Sequence, residues 1–449
     1  MYRKIINKIK DKNVAILGFG KEGISTYKFI RRHLNQKLTI IDKNDKIKEN
    51  EILLNDNNIE FVLGDKYLEN LDKYDLIIKS AGVSLKDIDT SKILDKLTSQ
   101  YALILEDTDL FTIGITASKG KTTTTTLTYE VIKNQNDNVF LLGNMGNPPL
   151  DQIETFNKDS ILVIELAALQ LQYIKKSPNI SCILNLFEEH LDYFGDKEKY
   201  YEAKLNIFKY QNKDDFAIYF KDNETLNNYI KNMNFNSNLI SVSFNDGDTY
   251  LDNNIVYYKE NKLYIDDNKR HILGKHNLEN IMFTLTIARI LNLDINKVVD
   301  VINNFNPLEH RMELVGTYNG ITYYNDAIAT IPNATINCIE ALKDVDTLIF
   351  GGMDRNIDYS DFVDYLEKSN INNLICMPST GYKIGNALKE KNINKNIFMI
   401  ELLPDALKKA KEVTKKNKIC LLSPAASSYE YYKNFEEKGK AFKALVKED

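Results

Sequence analysis

At 449 residues the chain is long enough for roughly two to four domains, each with its own core. Its 58 Lys and Arg against 63 Asp and Glu leave a formal charge of −5, which argues against a generic binder of nucleic acid or of an anionic membrane. The four cysteines, Cys182, Cys338, Cys376 and Cys420, are far apart and mostly in apolar runs, so neither a disulfide framework nor a zinc knuckle is expected, and a reducing cytoplasm is the natural setting.

The first ten residues, MYRKIINKIK, carry charges through their apolar positions and do not read as a signal peptide. Even the most apolar stretch, ILVIELAALQLQYI, contains Glu165 and two glutamines and is no membrane span. Asn13 to Leu17 reads as a buried strand, followed at once by Gly18-Phe19-Gly20-Lys21-Glu22-Gly23 and an amphipathic helix to about His33. The next strand, Lys37 to Ile41, ends on Asp42. This glycine fingerprint suits a dinucleotide oxidoreductase, but the same geometry holds any nucleotide diphosphate against a helix N-terminus. A further strand, Tyr74 to Lys79, leads into Ser80-Ala81-Gly82-Val83, at the edge where open α/β sheets bind ligands.

A second nucleotide-type loop follows. The apolar run Leu110 to Ile115 enters Thr116-Ala117-Ser118-Lys119, and Gly120-Lys121-Thr122 then opens a helix. Strand, Gly-Lys-Thr turn and helix N-terminus together aim backbone N–H groups, a helix dipole and an ammonium at one point, which suits a polyphosphate. Lys121 should reach the β- and γ-phosphates and Thr122 should ligate Mg²⁺. The strict phosphate-loop pattern is not met, because Ile115 occupies the place of its first glycine. Two such loops in one chain imply two nucleotide-bearing ligands, or one large ligand, and count against a simple dehydrogenase.

Beyond this loop, Asn138 to Leu142 is a strand ending in a Gly/Pro turn around Gly143-Asn144, Ser160 to Ile164 is a buried strand closing on Glu165, and Ile180 to Leu184 leads to His190 and Asp192. Parallel strands deliver their C-terminal ends to one edge, so Lys121, Thr122, Glu165 and His190 are expected to converge as a phosphate and metal site. Lys204 lies in a helix, Lys199 to Phe208, and its pattern alone suggests a snorkelling surface lysine. Short strands follow at Leu239 to Phe244, Asn254 to Tyr258 and Lys262 to Ile265. Gly274-Lys275-His276-Asn277 then precedes a helix through Ile290, with Asn277 and Asn280 on one face. The helix Ile295 to Phe305 runs up to Asn306-Pro307, and Tyr323 to Asp326, Thr347 to Phe350 and Lys418 to Leu422 repeat the strand-to-turn theme of a third α/β unit.

The ordered set GFGKEGIS, TASKGKTTTTT, GNMG, ELAALQL, EEHLDYFG, YYEAKLNIF, GKHNLEN, HRMELVG, YYNDAIAT, FGGMD and LLSPAASSYEYYKNFEEKG resembles the Mur ligase family over essentially the whole chain, most closely its D-glutamate-adding branch. The resemblance implies three α/β domains. These are an N-terminal Rossmann-like domain for the UDP substrate (1–108), a central P-loop ATPase-type domain with a mainly parallel sheet (109–306), and a C-terminal Rossmann-like domain for the amino acid (307–449). The implied reaction is ATP-dependent ligation of D-glutamate to UDP-N-acetylmuramoyl-L-alanine through an acyl phosphate, in the cytoplasm, by a monomer without nucleic-acid partners or membrane insertion. The family also implies two Mg²⁺ sites and a CO₂-derived carbamate on Lys204.

Carried over residue by residue, the resemblance gives Lys121, Glu165, His190 and Lys204 as catalytic, and Thr122, Glu165, His190 and carbamylated Lys204 as the metal set. ATP would be held by Ser118, Lys119, Gly120, Lys121, Thr122, Thr123, Asn277, Asn280, Arg311 and Asp326. The UDP substrate would meet Gly18, Phe19, Gly20, Lys21, Asp42, Lys43, Gly82, Asn144 and His190, and the amino acid Thr330, Arg355, Ser428, Tyr429 and Phe435. The chain departs from the family at Ala117, Lys119, Ala167, Ala168 and Ile328, has Arg355 near an expected lysine, and has Tyr429 for a usual leucine. A folylpolyglutamate-type ligase would not need the GFGKEG domain, an oxidoreductase leaves the second loop unexplained, and a non-catalytic nucleotide-binding protein would tolerate loss of Lys204 or Glu165, both of which are present.

Overall fold

The computed structural model describes residues 2–143, 148–189, 191–252, 255–258, 261–264, 270–306, 309–355, 357–429 and 431–448. Its elements open with α1 (Arg3–Ile9), β1 (Val14–Leu17), α2 (Lys21–His33), β2 (Leu38–Asp42), β3 (Ile59–Leu63), β4 (Leu76–Lys79), β5 (Leu97–Thr98) and α3 (Gln100–Asp107). Then come β6 (Phe111–Thr116), α4 (Lys121–Lys133), β7 (Val139–Gly143), α5 (Pro149–Gln152), β8 (Ile161–Glu165), α6 (Ala168–Leu171), β9 (Ile180–Ile183), α7 (Leu191–Phe194) and α8 (Lys197–Lys209). These are followed by β10 (Phe216–Phe220), α9 (Glu224–Lys231), β11 (Asn238–Ser243), β12 (Thr249–Asp252), β13 (Ile255–Tyr258), β14 (Asn261–Tyr264), α10 (Lys275–Ile290) and α11 (Ile295–Asn304). The chain closes with β15 (Glu313–Tyr318), β16 (Ile321–Asn325), α12 (Pro332–Leu342), β17 (Val345–Phe350), α13 (Ser360–Lys368), β18 (Asn373–Cys376), α14 (Thr380–Glu390), β19 (Asn396–Met399), α15 (Leu403–Val413), β20 (Ile419–Leu422) and α16 (Phe435–Lys447).

Three sheets organise these elements. The first, ordered β3-β2-β1-β4-β5, is wholly parallel. Its central strands β1 and β4 are buried at every position, as expected of a parallel sheet covered on both faces. In the second, ordered β14-β13-β12-β11-β10-β9-β6-β8-β7, strands β6 to β12 pair in parallel, and β12, β13 and β14 form an antiparallel edge. The third, β15-β16-β20-β17-β18-β19, is parallel except for β15.

Two compact units result, one of residues Met1–Asp266 with Glu279–Ile302 and one of Asp267–Leu278 with Asn303–Asp449. The first holds two sheets because a single apolar core runs through both, from Ile5, Phe29 and Ile78 through Tyr101 and Leu103 to Leu162, Ile183 and Ile207. The bridging helix α3, near where sequence reading sets the first border, is buried along most of its length.

The threonine run of α4 is a poor helix former by propensity but is well used. Thr125 donates back to the Lys121 carbonyl, Thr124 Oγ1 donates to Asn280 Oδ1 at 3.0 Å, and Thr128 pairs with Thr284 of α10 at 3.2 Å. Buried hydroxyls thus satisfy one another and fix the register of α4 against α10. Among the described residues no helix is long and apolar enough to cross a membrane.

Candidate active site

Strands β9, β6 and β8 are neighbours, and the registers Ile115↔Glu165 and Thr116↔Ile183 bring their C-terminal ends level. The loop after β6 therefore lies beside Glu165, which is 1 % exposed, and beside the chain leaving β9. Gly120 caps α4 with φ +92, in the left-handed region, and a Cβ there would sit 2.6 Å from Asn280 Oδ1 and 3.1 Å from Leu184 Cδ2. Only glycine suits both the backbone angle and the space. Lys121 curls its ammonium over the loop, donating to the carbonyls of Ala117 (2.7 Å) and Ser118 (3.1 Å). Thr122 is half-buried and Thr123 buried in the first turn of α4, where a helix dipole favours an anion.

Lys204 is 1 % exposed, which overturns the pattern reading of a snorkelling surface lysine. It comes off α8 to donate to the same Ala117 carbonyl at 2.7 Å and to Thr116 Oγ1 at 3.3 Å, over the ring of Tyr200. Burial and the adjacent Lys121 ammonium push its pKa well below the usual lysine range, against the opposing pull of Glu189 and Glu165. Two ammonium groups sharing one carbonyl in a dry site cannot both be comfortably charged, so Lys204 is the one driven toward the neutral amine. Lys119, in contrast, is exposed and ion-paired with Glu189 at 2.7 Å. Ser118 is locked by Phe187, whose N–H donates to Oγ at 2.9 Å and whose carbonyl accepts from it at 3.0 Å. The expected His190 and Asn144 lie outside the described residues.

At the C-terminal edge of the first sheet, Asp42 holds the glycine turn together. Phe19 N–H donates to its Oδ2 at 2.7 Å and Asn44 N–H to its Oδ1 at 2.8 Å. Beside it a concavity of about 440 Å³ is lined by Phe19, Gly20, Asp42, Asn44 and Lys46 among others. Lys21, Lys43 and Gly82 are exposed along the same edge.

Sequence reading missed three groups here. The carboxylate of Glu22 accepts from Ala81 N–H (2.8 Å) and from Gln170 Nε2 (3.2 Å), tying the first sheet's turns to the helix after Glu165. Buried Lys79, its pKa lowered to about 8 by burial, donates to Tyr193 Oη at 2.8 Å, and Tyr193 donates to the Val83 carbonyl at 2.7 Å. The one local hint was a charge ending an otherwise apolar strand.

In the second unit, Asp326 leaves β16 fully buried, accepting from Ser423 Oγ (2.7 Å) and Met312 N–H (3.1 Å), and burial raises its carboxyl to about 6. Half-buried Arg311 follows His310, whose φ of +64 and Nδ1 contact with Asn325 (2.9 Å) fix the start of that segment. Asn277 is buried, its amide donating to the Leu273 carbonyl at 2.7 Å; Asn280, also buried and itself part of the first unit, packs against Gly120 there. The ends of β16, β20 and β17 carry the expected amino-acid residues. Thr330 is half-buried, Arg355 exposed, Ser428 buried, Tyr429 61 % exposed, and Phe435 half-buried with its ring edge-on to His310.

Comparison with known proteins places these features in one lineage. Residues 12–99 match the Mur ligase MurD-like N-terminal domain, 115–288 the Mur ligase middle domain, and 310–426 the Mur ligase glutamate ligase domain. The chain is 34 % identical to a UDP-N-acetylmuramoylalanine--D-glutamate ligase of Clostridioides difficile, over 98 % of this chain and 99 % of the relative. It is 33 % identical to the protein of that name from Clostridium botulinum, over 99 % and 98 %. In fold it is similar to the MurF ligase of Thermotoga maritima solved with ADP, at TM-score 0.61 and 18 % identity, covering 99 % of this chain and 98 % of that one. The Thermotoga maritima UDP-N-acetylmuramate-alanine ligase MurC is similar too, at TM-score 0.60 and 16 % identity, over 97 % and 99 %.

Proposed function

This chain belongs to the Mur ligase family of ATP-dependent ligases of peptidoglycan synthesis, and on that premise we propose that it joins D-glutamate to UDP-N-acetylmuramoyl-L-alanine, acting in the cytoplasm as a monomer. The observation that carries the reading is the meeting of Lys121, Glu165 and Lys204 around the phosphate loop at one rim of the second sheet. On this reading we place the domain borders at 108/109 and 306/307.

In this mechanism the L-alanyl carboxylate attacks the γ-phosphorus of ATP and ADP leaves, giving an acyl phosphate. The ammonium of Lys121 and the N-terminus of α4 stabilise charge on the transferred group. The deprotonated amine of D-glutamate then adds to the acyl carbon, and phosphate is expelled as the amide forms. The segment after β16 of the third sheet, with Thr330, and the β17 and β20 exits, with Arg355, Ser428 and Tyr429, would orient the amino acid. Arg355 can grip a carboxylate with two parallel N–H bonds.

The buried carboxylate of Glu165, the Thr122 hydroxyl and the suppressed charge of Lys204 suit a divalent cation and a carbamate better than they suit three free side chains. A neutral Lys204 amine can add to CO₂ and lose a proton, which turns a would-be cation into an anion. Magnesium held by Thr122, Glu165, His190 and that carbamate, in two sites, would neutralise phosphate charge.

The test is phosphate release from ATP with UDP-N-acetylmuramoyl-L-alanine and a panel of amino acids. Release that depends on D-glutamate supports the reading, and release indifferent to it refutes it.

A further inference from the structure

The phosphate loop does not hold its own shape. Segment 184–187, leaving β9, runs alongside it, and the side chain of Asn185 closes a two-bond ring around Lys119. Lys119 N–H donates to Asn185 Oδ1 at 2.8 Å, and Asn185 Nδ2 donates to the Lys119 carbonyl at 2.9 Å. The Asn185 backbone carbonyl also accepts from Ser118 N–H at 3.1 Å. The second hydrogen of the amide reaches Glu279 Oε1 on α10 at 3.3 Å, so both donor hydrogens and the acceptor are used, and a flipped amide would set donor against donor at Lys119.

We propose that Asn185 is a positioning residue for the nucleotide, clasping the Lys119 peptide so that the loop is already in its binding shape, with Glu279 taking the second amide hydrogen. The consequence follows from peptide planarity. The Lys119 carbonyl and the Gly120 N–H belong to one trans unit and point in opposite directions, so a carbonyl tied to Asn185 turns the Gly120 N–H away from Asn185. The left-handed angle at Gly120 then leads directly into α4 and aims Lys121 over the loop. Without the clasp, two buried-side backbone groups at Lys119 lose their partners, and the loop must be reordered each time the triphosphate binds. The Asn185 side chain bonds to the Lys119 peptide and to Glu279, so its effect is on loop geometry rather than on the reacting atoms.

The inference rests on reading residues 118–123 as the site of the ATP phosphates, and the experiment separates the two. MgATP binding to the full chain would be measured by calorimetry for wild type, Asn185→Ala, Asn185→Asp, Glu279→Ala and Lys121→Ala, alongside the KM for the UDP substrate and the melting temperature. Asn185→Ala and Asn185→Asp should weaken ATP binding about tenfold or more while leaving the KM of the UDP substrate within about twofold. Glu279→Ala, at a half-buried surface position that should fold whatever happens at Asn185, should weaken ATP about threefold. Wild-type ATP affinity in the Asn185 and Glu279 variants with loss in Lys121→Ala would overturn the clasp and keep the site. Undiminished binding in Lys121→Ala would overturn the site itself. Equal weakening of both substrates with a collapsed melting temperature would show Asn185 to be merely structural, and would also overturn the proposal.

Discussion

Gly143 is the sharpest point at which the backbone can be asked whether it sets the chemistry. It ends β7 opposite Glu165, with φ +112, and a Cβ built there would lie 2.2 Å from the Glu165 carbonyl oxygen and 2.8 Å from its nitrogen. Replacement by alanine forces two costs. An L side chain at that angle costs about 1–2 kcal/mol, and relieving an overlap against backbone, which cannot rotate away, costs about 1–3 kcal/mol more. The strand end must also retreat by about an ångström, carrying Glu165 with it, and a shift of that size at a carboxylate proposed to hold magnesium is worth about a hundredfold in rate. Gly195 supplies the control, because its φ of +74 imposes the angular cost while a Cβ there meets nothing within 4 Å. In urea denaturation Gly143→Ala should lose about 2–5 kcal/mol and Gly195→Ala only about 1–2 kcal/mol. A magnesium titration of phosphate release should then shift to higher magnesium concentration only for Gly143→Ala. Equal stability losses and superimposable magnesium curves would show that Gly143 does not set the position of Glu165.

Other outcomes follow from the same geometry. Lys204→Ala should lose about a hundredfold or more in turnover and regain part of it with added acetate, and a ¹³C-bicarbonate NMR signal of the wild type should vanish in the variant. Burial raises the Glu279 carboxyl from 4.5 to about 8, so its contribution is complete below the unfolded pKa and is lost as pH rises through the folded one. Wild type should therefore lose stability relative to Glu279→Gln between pH 5 and pH 9, by about 5 kcal/mol at most, and parallel pH profiles in urea would contradict it. Arg355→Ala should raise the KM for D-glutamate about tenfold or more with unchanged KM for ATP, and an unchanged amino-acid KM would remove Arg355 from the site.

What could be seen in the sequence was local. An apolar run that stops on one polar residue marks a strand exit, and this signal led directly to Asp42, Glu165 and the loop before Lys121. Lys204 is where local pattern stops being informative. Its neighbours in sequence fit either face of α8, and only the distant Thr116 and Ala117 decide that it is buried. Asn185 was passed over for the same reason, since a lone asparagine after a strand is ordinary until its partners at Lys119 and Glu279 are known. The clasp of Lys79 and Tyr193, more than a hundred residues apart, had no local trace beyond a misplaced charge. The threonine run was legible as a helix, but the buried hydroxyl pairing with α10 that uses its threonines was not.

The apolar seam through α3 has a practical corollary. With Tyr101, Leu103 and Leu105 wedged between two sheets, a protease or a gene truncation that cut near residue 108 would leave both fragments with a raw greasy flank. The first 266 residues should therefore melt in one cooperative step, and residues 1–108, proposed to bind the sugar nucleotide, should prove insoluble when expressed by themselves.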